Sequence, residues 1–410
     1  MASIFVQPDS QRKLEILSAD AQYDLACACG SRSEERRVRG SQGRWVYPVT
    51  LPSGGSSVLF KTLISNVCTN DCKYCPLRGE NDLRRCTLTN TEVVDTFLDY
   101  YRRKEVFGLF LSSGVIGTPD ATLQRLCDIT RTLRRQHQFR GYVHLKILPG
   151  SSAAAVEEAV SLASSVSLNI ETPGESFLSK LSGRKNFLRD IIEPIKLISR
   201  LTAKGSRYHR VKHTTQFIVG AAGEADSQIV RYMGGLYQRL GLDRIYFSAY
   251  QRGLGSPELP GEQTAAEPQQ VFGREHRLYQ VDFLMRKYGF REEEIPFEAD
   301  GRLSLQTDPK LAWAQRHPEF FPVNANTAGK WDLLRVPGLG PDTVDRRFCP
   351  ADGPDPTGGT LPCFFVSHYP ASTYIGCKAR LDFRFRGNDK PRFPLREFIG
   401  KSAKLVFLGL

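Results

Sequence analysis

Three cysteines fall within one short segment, CTNDCKYC: Cys68, Cys72 and Cys75, spaced C-x3-C-x2-C. Clustered thiols in a chain of this length read as metal chemistry before they read as cross-links. Such a loop lets three sulfurs converge on one face. Three thiolates leave the fourth iron of an iron–sulfur cube without a protein ligand, so one Lewis-acidic position stays open. A structural zinc site is instead closed by four ligands. Cys86 or a histidine is available as a fourth donor, so zinc stays open as an alternative.

The other chemistry-bearing residues give weaker signals. Cys127, in LQRLCDIT, lies on an apolar helical face and reads as a buried structural thiol, and Cys86 reads the same way. Cys27 and Cys29 are two thiols without partners, and Cys349, Cys363 and Cys377 are scattered. Lys146 can neutralise a ligand carboxylate or simply snorkel. His209 and His213 straddle the start of a predicted strand and suggest no role.

The elements that position these residues alternate. Strands are predicted at 57–64, 106–112, 142–148, 165–170, 213–220 and 244–250, each rich in β-branched or aromatic residues and bounded by Gly, Pro, Ser or Asn. Helical periodicity fills 89–104 and 118–136, and Thr89 with Glu92 forms a capping-box pattern. Strand–helix alternation repeated six times implies a parallel sheet with right-handed crossovers. A full eight-unit barrel takes about 250 residues, so this shorter span predicts an incomplete one, of α/β class. The cysteine loop then follows the first strand.

Length and charge bound the remainder. The 410 residues predict two or three domains at roughly 150 residues each. With 40% hydrophobic and 24% charged residues, general disorder is excluded. No run of about 18 apolar residues suits a membrane span, and the first residues lack a secretory pattern, so the cytoplasm is the default expectation. The net charge of +12 favours a polyanionic partner. Residues 377–410 hold nine basic and three acidic residues, half of that excess, which weakens the argument for the folded body.

Cys68-x3-Cys72-x-Tyr74-Cys75 after the first strand of a partial (β/α)6 barrel resembles the radical S-adenosylmethionine (SAM) superfamily, whose signature includes an aromatic residue before the third cysteine. The resemblance implies a 4Fe-4S cluster on Cys68, Cys72 and Cys75, with SAM chelating the open iron. Reductive cleavage then yields a 5′-deoxyadenosyl radical that takes a hydrogen from substrate, with an electron donor protein as a partner. The cofactor supplies the radical, and the protein supplies position and water exclusion. By the same resemblance, Ser112-Ser113-Gly114 form the turn that holds the methionine amino group. Here Ser-Ser-Gly stands where Gly-Gly-Glu is common, so hydroxyls or carbonyls replace a carboxylate. Read without the resemblance, the two serines can equally cap the next helix. Asn169 and Glu171 fall where a polar residue meets the ribose. Gly220, in IVGAAGE, falls at a turn that approaches the adenosyl group, and Phe247 to Tyr250 fall near the adenine.

A second pattern lies in FPVNANTAGKWDLLRVPGLGPDTVDRRF, residues 321–348. Asn326 or Thr327 can cap a short helix carrying Leu333, Leu334 and Val336, Gly338 and Gly340 form a tight turn, and Pro341 suits the first position of the next helix. This resembles a helix-hairpin-helix, whose backbone N–H groups approach a DNA phosphate, though such a hairpin can also be a packing device. A radical barrel followed by DPKLAWAQRHPEFFPV and this hairpin resembles bacterial radical SAM proteins associated with DNA modification or repair, over about residues 10–347. DNA is then the expected partner.

The expected layout is an N-terminal helical and irregular extension (1–50), the partial barrel (51–257), a polar loop and helical extension (258–308), the hairpin segment (309–348) and an irregular tail of non-family character (349–410). Two rivals stand beside DNA chemistry. One is the same radical chemistry on RNA or protein. The other is a non-catalytic, metal-stabilised nucleic-acid-binding protein.

Overall fold

The computed structural model describes residues 8–21, 46–50, 56–264, 267–325, 327–348, 364–369 and 372–377. Cys27, Cys29, Asn326, Cys349, Cys363 and the remainder of the tail lie outside them. The described residues divide into two units. One takes those up to His317 together with Lys330–Phe348, and the other takes Pro318–Gly329 and the two strands of the tail.

The first unit opens with α1 (Ser10–Asp20), started by Asp9, whose carboxylate accepts from the Arg12 amide at 2.7 Å. Then follow β1 (Val46–Thr50), β2 (Ser56–Leu63), α2 (Asn90–Arg102), β3 (Gly108–Ser112), α3 (Pro119–Arg135) and β4 (Tyr142–Lys146). After α4 (Ala153–Leu162), β5 (Ser165–Ser167) and α5 (Glu175–Leu181), a π-helical turn at Phe187–Ile192 leads into α6 (Glu193–Thr202). The sheet ends with β6 (Lys212–Val219), α7 (Asp226–Gln238) and β7 (Arg244–Ala249).

The strands lie in sequence order. β1 pairs antiparallel with β2, and β2 to β7 are parallel throughout. This is the partial six-stranded barrel the alternation predicts. The predicted capping box is present, with the Thr89 hydroxyl accepting from the Glu92 amide at 3.1 Å and Glu92 Oε2 accepting from the Thr89 amide at 2.6 Å. β1 departs from expectation, since the stretch before residue 50 reads as irregular. A five-residue strand containing Pro48 shows little strand pattern, and its pairing with β2 supplies the order.

Register divides the sheet into two faces. Phe60, Leu109, Val143 and Leu145 share one face with Val166, Phe217, Ile245 and Phe247. That face packs on helices, as the Phe60 and Phe97 rings 6.1 Å apart illustrate. The opposite, concave face carries Lys61, Ser112, His144, Lys146, Ser167, Thr214 and Gln216. A closed barrel fills its interior with branched apolar side chains, whereas here the face mixes those polar groups with Leu59, Leu63, Phe110 and Ile218.

The open edge at β7 is covered by α9 (Pro268–Lys287), which follows the short α8 (Pro260–Gln263). The alternate amides of β7 find side chains instead of an eighth strand. Ile245 N–H donates to Tyr237 Oη at 3.0 Å, Phe247 N–H to Tyr279 Oη at 3.0 Å and Ala249 N–H to Glu275 Oε2 at 2.6 Å. An uncovered edge would template pairing with another chain.

Beyond α9 come α10 (Pro309–Arg316), α11 (Lys330–Arg335) and α12 (Pro341–Phe348). Pro341 does open α12, but α11 begins three residues after Thr327 and ends before Val336, so Thr327 caps no helix. In the second unit, β8 (Phe364–Tyr369) and β9 (Ser372–Cys377) form an antiparallel hairpin within the tail expected to be irregular.

Candidate active site at the carboxyl ends of the strands

The cysteine loop leaves β2 and returns beside it. Its base is closed by Asn66, which donates to the Asp20 carboxylate at 2.7 Å and to the Arg84 carbonyl at 2.8 Å, and accepts from the Cys86 amide at 2.8 Å. Arg85 fills the loop from inside. Its guanidinium donates to the carbonyls of Asn66 (2.5 Å), Leu77 (2.8 Å), Arg78 (2.8 Å) and Asn81 (2.9 Å). Five fixed donors in one plane suit such a task.

Gly114 seats the loop on the strand ends. A Cβ there would lie 2.4 Å from the Val67 carbonyl oxygen and 3.1 Å from Cys68 Cβ, so glycine is required by close approach. The Val115 amide donates to Cys68 Sγ at 3.5 Å. Ser112 is buried at the end of β3, and its carbonyl accepts from the Ile64 amide at 2.9 Å. Ser113 Oγ donates to the Gly114 carbonyl at 2.7 Å. Neither serine caps α3, which is capped by Thr118.

On the far side the loop is locked to the segment after α5. Asp71 accepts from Ser182 Oγ and from the Gly183 amide at 2.8 Å, and the Lys73 amide donates to the Leu181 carbonyl at 2.8 Å. Burial pushes the Asp71 carboxyl up, but these hydrogen bonds outweigh it and hold the group below its usual range. The one carboxylate within CTNDCKYC is thereby engaged away from the thiols.

Cys72 is buried and Cys75 half-buried, and burial pushes both thiols up. The nearby Lys185 charge opposes that at Cys72. The lysine side chain is itself buried, with Nζ 3.8 Å from Glu171 Oε1. Burial disfavours its charge, yet the neighbouring Cys72 and Glu171 prevail and raise its pKa. A single buried cation thus faces the thiols and a carboxylate.

The polar side chains expected beyond β5 are present there, although the strand itself stops at Ser167. Glu171 adopts φ +67° and accepts from the Tyr74 hydroxyl at 2.7 Å. Asn169 Oδ1, Glu171 Oε2, Thr172 Oγ1 and Ser151 Oγ are buried without a hydrogen-bond partner. Buried polar atoms are normally satisfied, so four orphans on the rims of β4 and β5 call for a ligand or water.

Gly220 takes φ +92°, and its amide donates to Glu224. Tyr250 packs with Leu181, Ile218, Ala221, Ala222 and Leu259 in an apolar cluster that also meets Tyr74 and Phe177. Its hydroxyl is held by Glu262. Phe247 corrects the expectation for its segment. It lies on the helix-facing side, stacked with Phe217 and edge-on to Tyr279, and does not reach the mouth.

These residues fit an iron–sulfur cluster with a chelating ligand. The loop offers three thiols, a buried lysine balances their negative charge, and unpartnered acceptors line the adjoining rim. Cys86 is no fourth ligand: its thiol meets the Lys13 carbonyl at 3.9 Å, and burial followed by Asp20 pushes it up to about 11. Cys127 is the buried structural thiol expected, at 1% exposure. Among the described residues, no three His, Cys, Asp or Glu side chains converge tightly enough for a single metal ion.

Lys185, Asp71 and Arg85 escape sequence reasoning. Each carries out its role through a contact with a distant segment, and none stands in a recognisable spacing. The faint signal for Lys185 is its place in a short Ser-Gly-Arg-Lys turn soon after a predicted strand.

The hairpin lies apart from this cluster in the chain. Gly338 takes φ +85°, and Gly340 approaches Tyr288. The Leu339 amide is used by the Val336 carbonyl at 3.1 Å, and the acidic Asp342 occupies the first turn of α12. No helix among the described residues is long and apolar enough to cross a membrane.

No protein-family model matches the chain, and no curated protein matches it in sequence. Solved structures similar to it include HydG, a maturase of the FeFe-hydrogenase, at 14% identity and a TM-score of 0.41, covering 54% of this chain and 48% of that one. HydG from Carboxydothermus hydrogenoformans aligns at 18% identity and a TM-score of 0.42, covering 54% and 50%. Methylornithine synthase (PylB) aligns at 16% identity and a TM-score of 0.42, covering 68% and 74%. The chain spans about half the length of the HydG chains it matches.

Proposed function

We propose that this chain is a radical SAM enzyme whose substrate is DNA. The observation that carries the catalytic part is the seating of Cys68, Cys72 and Cys75 at the mouth of a parallel half-barrel beside four unpartnered buried polar atoms. When bound, a 4Fe-4S cluster and SAM supply a 5′-deoxyadenosyl radical able to take a hydrogen atom from substrate.

The chain's own residues bind and orient. The three thiols hold the cluster, and Lys185 offsets their charge and meets a ligand carboxylate. Asn169, Glu171 and Thr172 offer acceptors to ribose hydroxyls and an amino group, with Ser112 and Ser113 on the neighbouring rim. The apolar cluster around Tyr250 and Tyr74 offers a face for a purine ring, and Gly220 lets backbone approach it. Packing of Leu181, Leu259 and Phe177 keeps water from this side of the site.

The DNA part rests on the glycine hairpin at Gly338 and Gly340 and on the excess of positive charge. Asp342 beside that hairpin repels phosphate, so the hairpin contributes less than one with a neutral first turn. The test is to purify the protein without oxygen, reconstitute it with iron and sulfide, reduce it with SAM present, and quantify 5′-deoxyadenosine. A full cluster without that product refutes the enzyme. Duplex, single-stranded and damaged DNA are then added, and no gain in turnover with any of them refutes DNA as substrate.

A further inference from the structure

From Pro194 to Gly223 the chain carries six Lys or Arg and no Asp or Glu. The stretch runs from α6 through the loop at 203–211 into β6. Lys196 is paired with Glu193 at 2.9 Å and Lys212 with Asp243 at 2.8 Å. Arg200, Lys204, Arg207 and Arg210 are exposed, and among the described residues none of these four forms an ion pair. The Arg207 guanidinium lies over the Tyr208 ring, 5.4 Å from its centroid.

The second helix of the pair extends this face. Ser199 Oγ on α6 donates to the Leu240 carbonyl, just past the end of α7, at 2.6 Å. Between the two helices opens a groove of about 600 Å3, whose walls carry Lys196, Arg231, Tyr232 and Arg239 and no carboxylate. Arg231 and Arg239 are exposed. Ile170 and Pro173 also line the groove, and they bracket Glu171 and Thr172 of the rim, so the groove begins beside the site. Like charges gathered on one face repel one another and attract a polyanion. A membrane surface is the poorer match, because an interfacial helix also needs apolar side chains to insert. Among the described residues, the exposed large hydrophobic side chains are Leu83, Tyr101, Leu188, Phe283, Leu305 and Trp331, and none lies between the start of α6 and the end of α7.

We propose that the outer face of α6 and α7 binds the phosphodiester backbone of a nucleic acid, with Arg231 and Arg239 in the groove and Lys204, Arg207 and Arg210 on the loop as phosphate contacts. The assignment rests on the DNA reading of the substrate and adds the surface that holds the strand. Contacts of this kind position a strand without reading its sequence. Each phosphate neutralised releases counterions, so affinity through this face falls with salt.

Fluorescence anisotropy of the full chain with a labelled single-stranded oligonucleotide and its duplex, across a range of salt, tests this. Arg231→Ala combined with Arg239→Ala is expected to weaken binding about ten-fold at low salt and to flatten the logarithmic salt slope by about 0.7 per cation removed on the single strand. Arg207→Ala combined with Arg210→Ala carries the same test on the loop, and Lys287→Ala on α9 is expected to bind as the wild type does. All these side chains are exposed, and circular dichroism confirms that each variant is folded. Wild-type affinity and salt slope in both double variants overturn the proposal. Phosphatidylglycerol vesicles serve as the competing polyanion, and tighter binding to them than to either oligonucleotide, lost in the same variants, overturns it as well. Deoxyadenosine formation is scored separately. A DNA-dependent gain in turnover that the variants leave intact defeats this surface alone, whereas binding through the face without any gain defeats DNA as substrate and leaves the surface standing.

Discussion

The Tyr74 hydroxyl donates to Glu171 Oε1 at 2.7 Å, joining the cysteine loop to the rim of β5 across 97 positions of sequence. Burial and the adjacent carboxylate both raise the phenol's pKa, so it remains a donor at any working pH. Tyr74→Phe removes that donor and leaves a carboxylate at 4% exposure beside the Lys185 ammonium. A loss of about 1–3 kcal/mol in unfolding free energy is expected, together with weaker SAM binding. Iron content after reconstitution is expected to stay at the wild-type level, because the phenol is not a ligand. Loss of iron along with stability would contradict the role given to Tyr74.

Gly114 offers a steric test of how the loop is seated. A methyl group there meets the Val67 carbonyl oxygen at 2.4 Å, and backbone cannot yield as a side-chain tip does. Gly114→Ala is expected to displace the cysteine loop and destabilise the chain by about 1–3 kcal/mol. The sharper readout is iron uptake, which should fall several-fold while the far-ultraviolet circular dichroism of the barrel persists. Normal iron binding in a folded Gly114→Ala protein would mean that the loop does not depend on this contact.

The legible parts of the chain are those written in local pattern. The strands containing Phe60, Leu109, Val143, Val166, Phe217 and Ile245 follow from β-branched and aromatic runs with turn residues at their ends. The three thiols follow from spacing. What stayed hidden is long-range. Lys185 acquires its meaning from Cys72, more than a hundred residues earlier, and Asp71 from Ser182 and Gly183. The polar part of the lumen was available in principle, since His144 and Lys146, and Thr214 and Gln216, stand at alternate positions of their strands. It becomes visible only once register fixes which alternate set faces inward. β1 had no such pattern and is ordered by its partner.

Tyr279 tests how the half-barrel ends. Its hydroxyl accepts from the Phe247 amide and donates to the Phe247 carbonyl, both at 3.0 Å, replacing the ladder an eighth strand would provide. Tyr279→Phe keeps the ring against Phe247 and removes both bonds. The expected cost is about 1–3 kcal/mol, since two buried backbone groups lose their partner. Hydrogen exchange locates the effect: the Phe247 amide should lose protection while central-strand amides such as Leu111 do not. Uniform loss across the sheet would show global unfolding instead of an opened edge.

Lys310 gives the chain a pH dependence at its helical extension. Burial pushes its ammonium down to about 7, with Asp308 opposing. Nζ donates to the Leu339 carbonyl at 2.6 Å and sits 4.6 Å from the Tyr288 ring centroid, which fastens α10 to the hairpin turn. The unfolded lysine titrates near its ordinary 10.5. Between about pH 7 and 10 the unfolded chain therefore binds more protons than the folded one, and stability rises with pH across that window. Below it the folded state carries the full penalty of a buried charge, on the order of 2–5 kcal/mol. Urea unfolding at pH 7 and pH 9.5 should show the wild type gaining stability relative to Lys310→Met as pH rises. Parallel pH profiles for the two proteins would place the ammonium in water and remove Lys310 as the fastening between α10 and the turn.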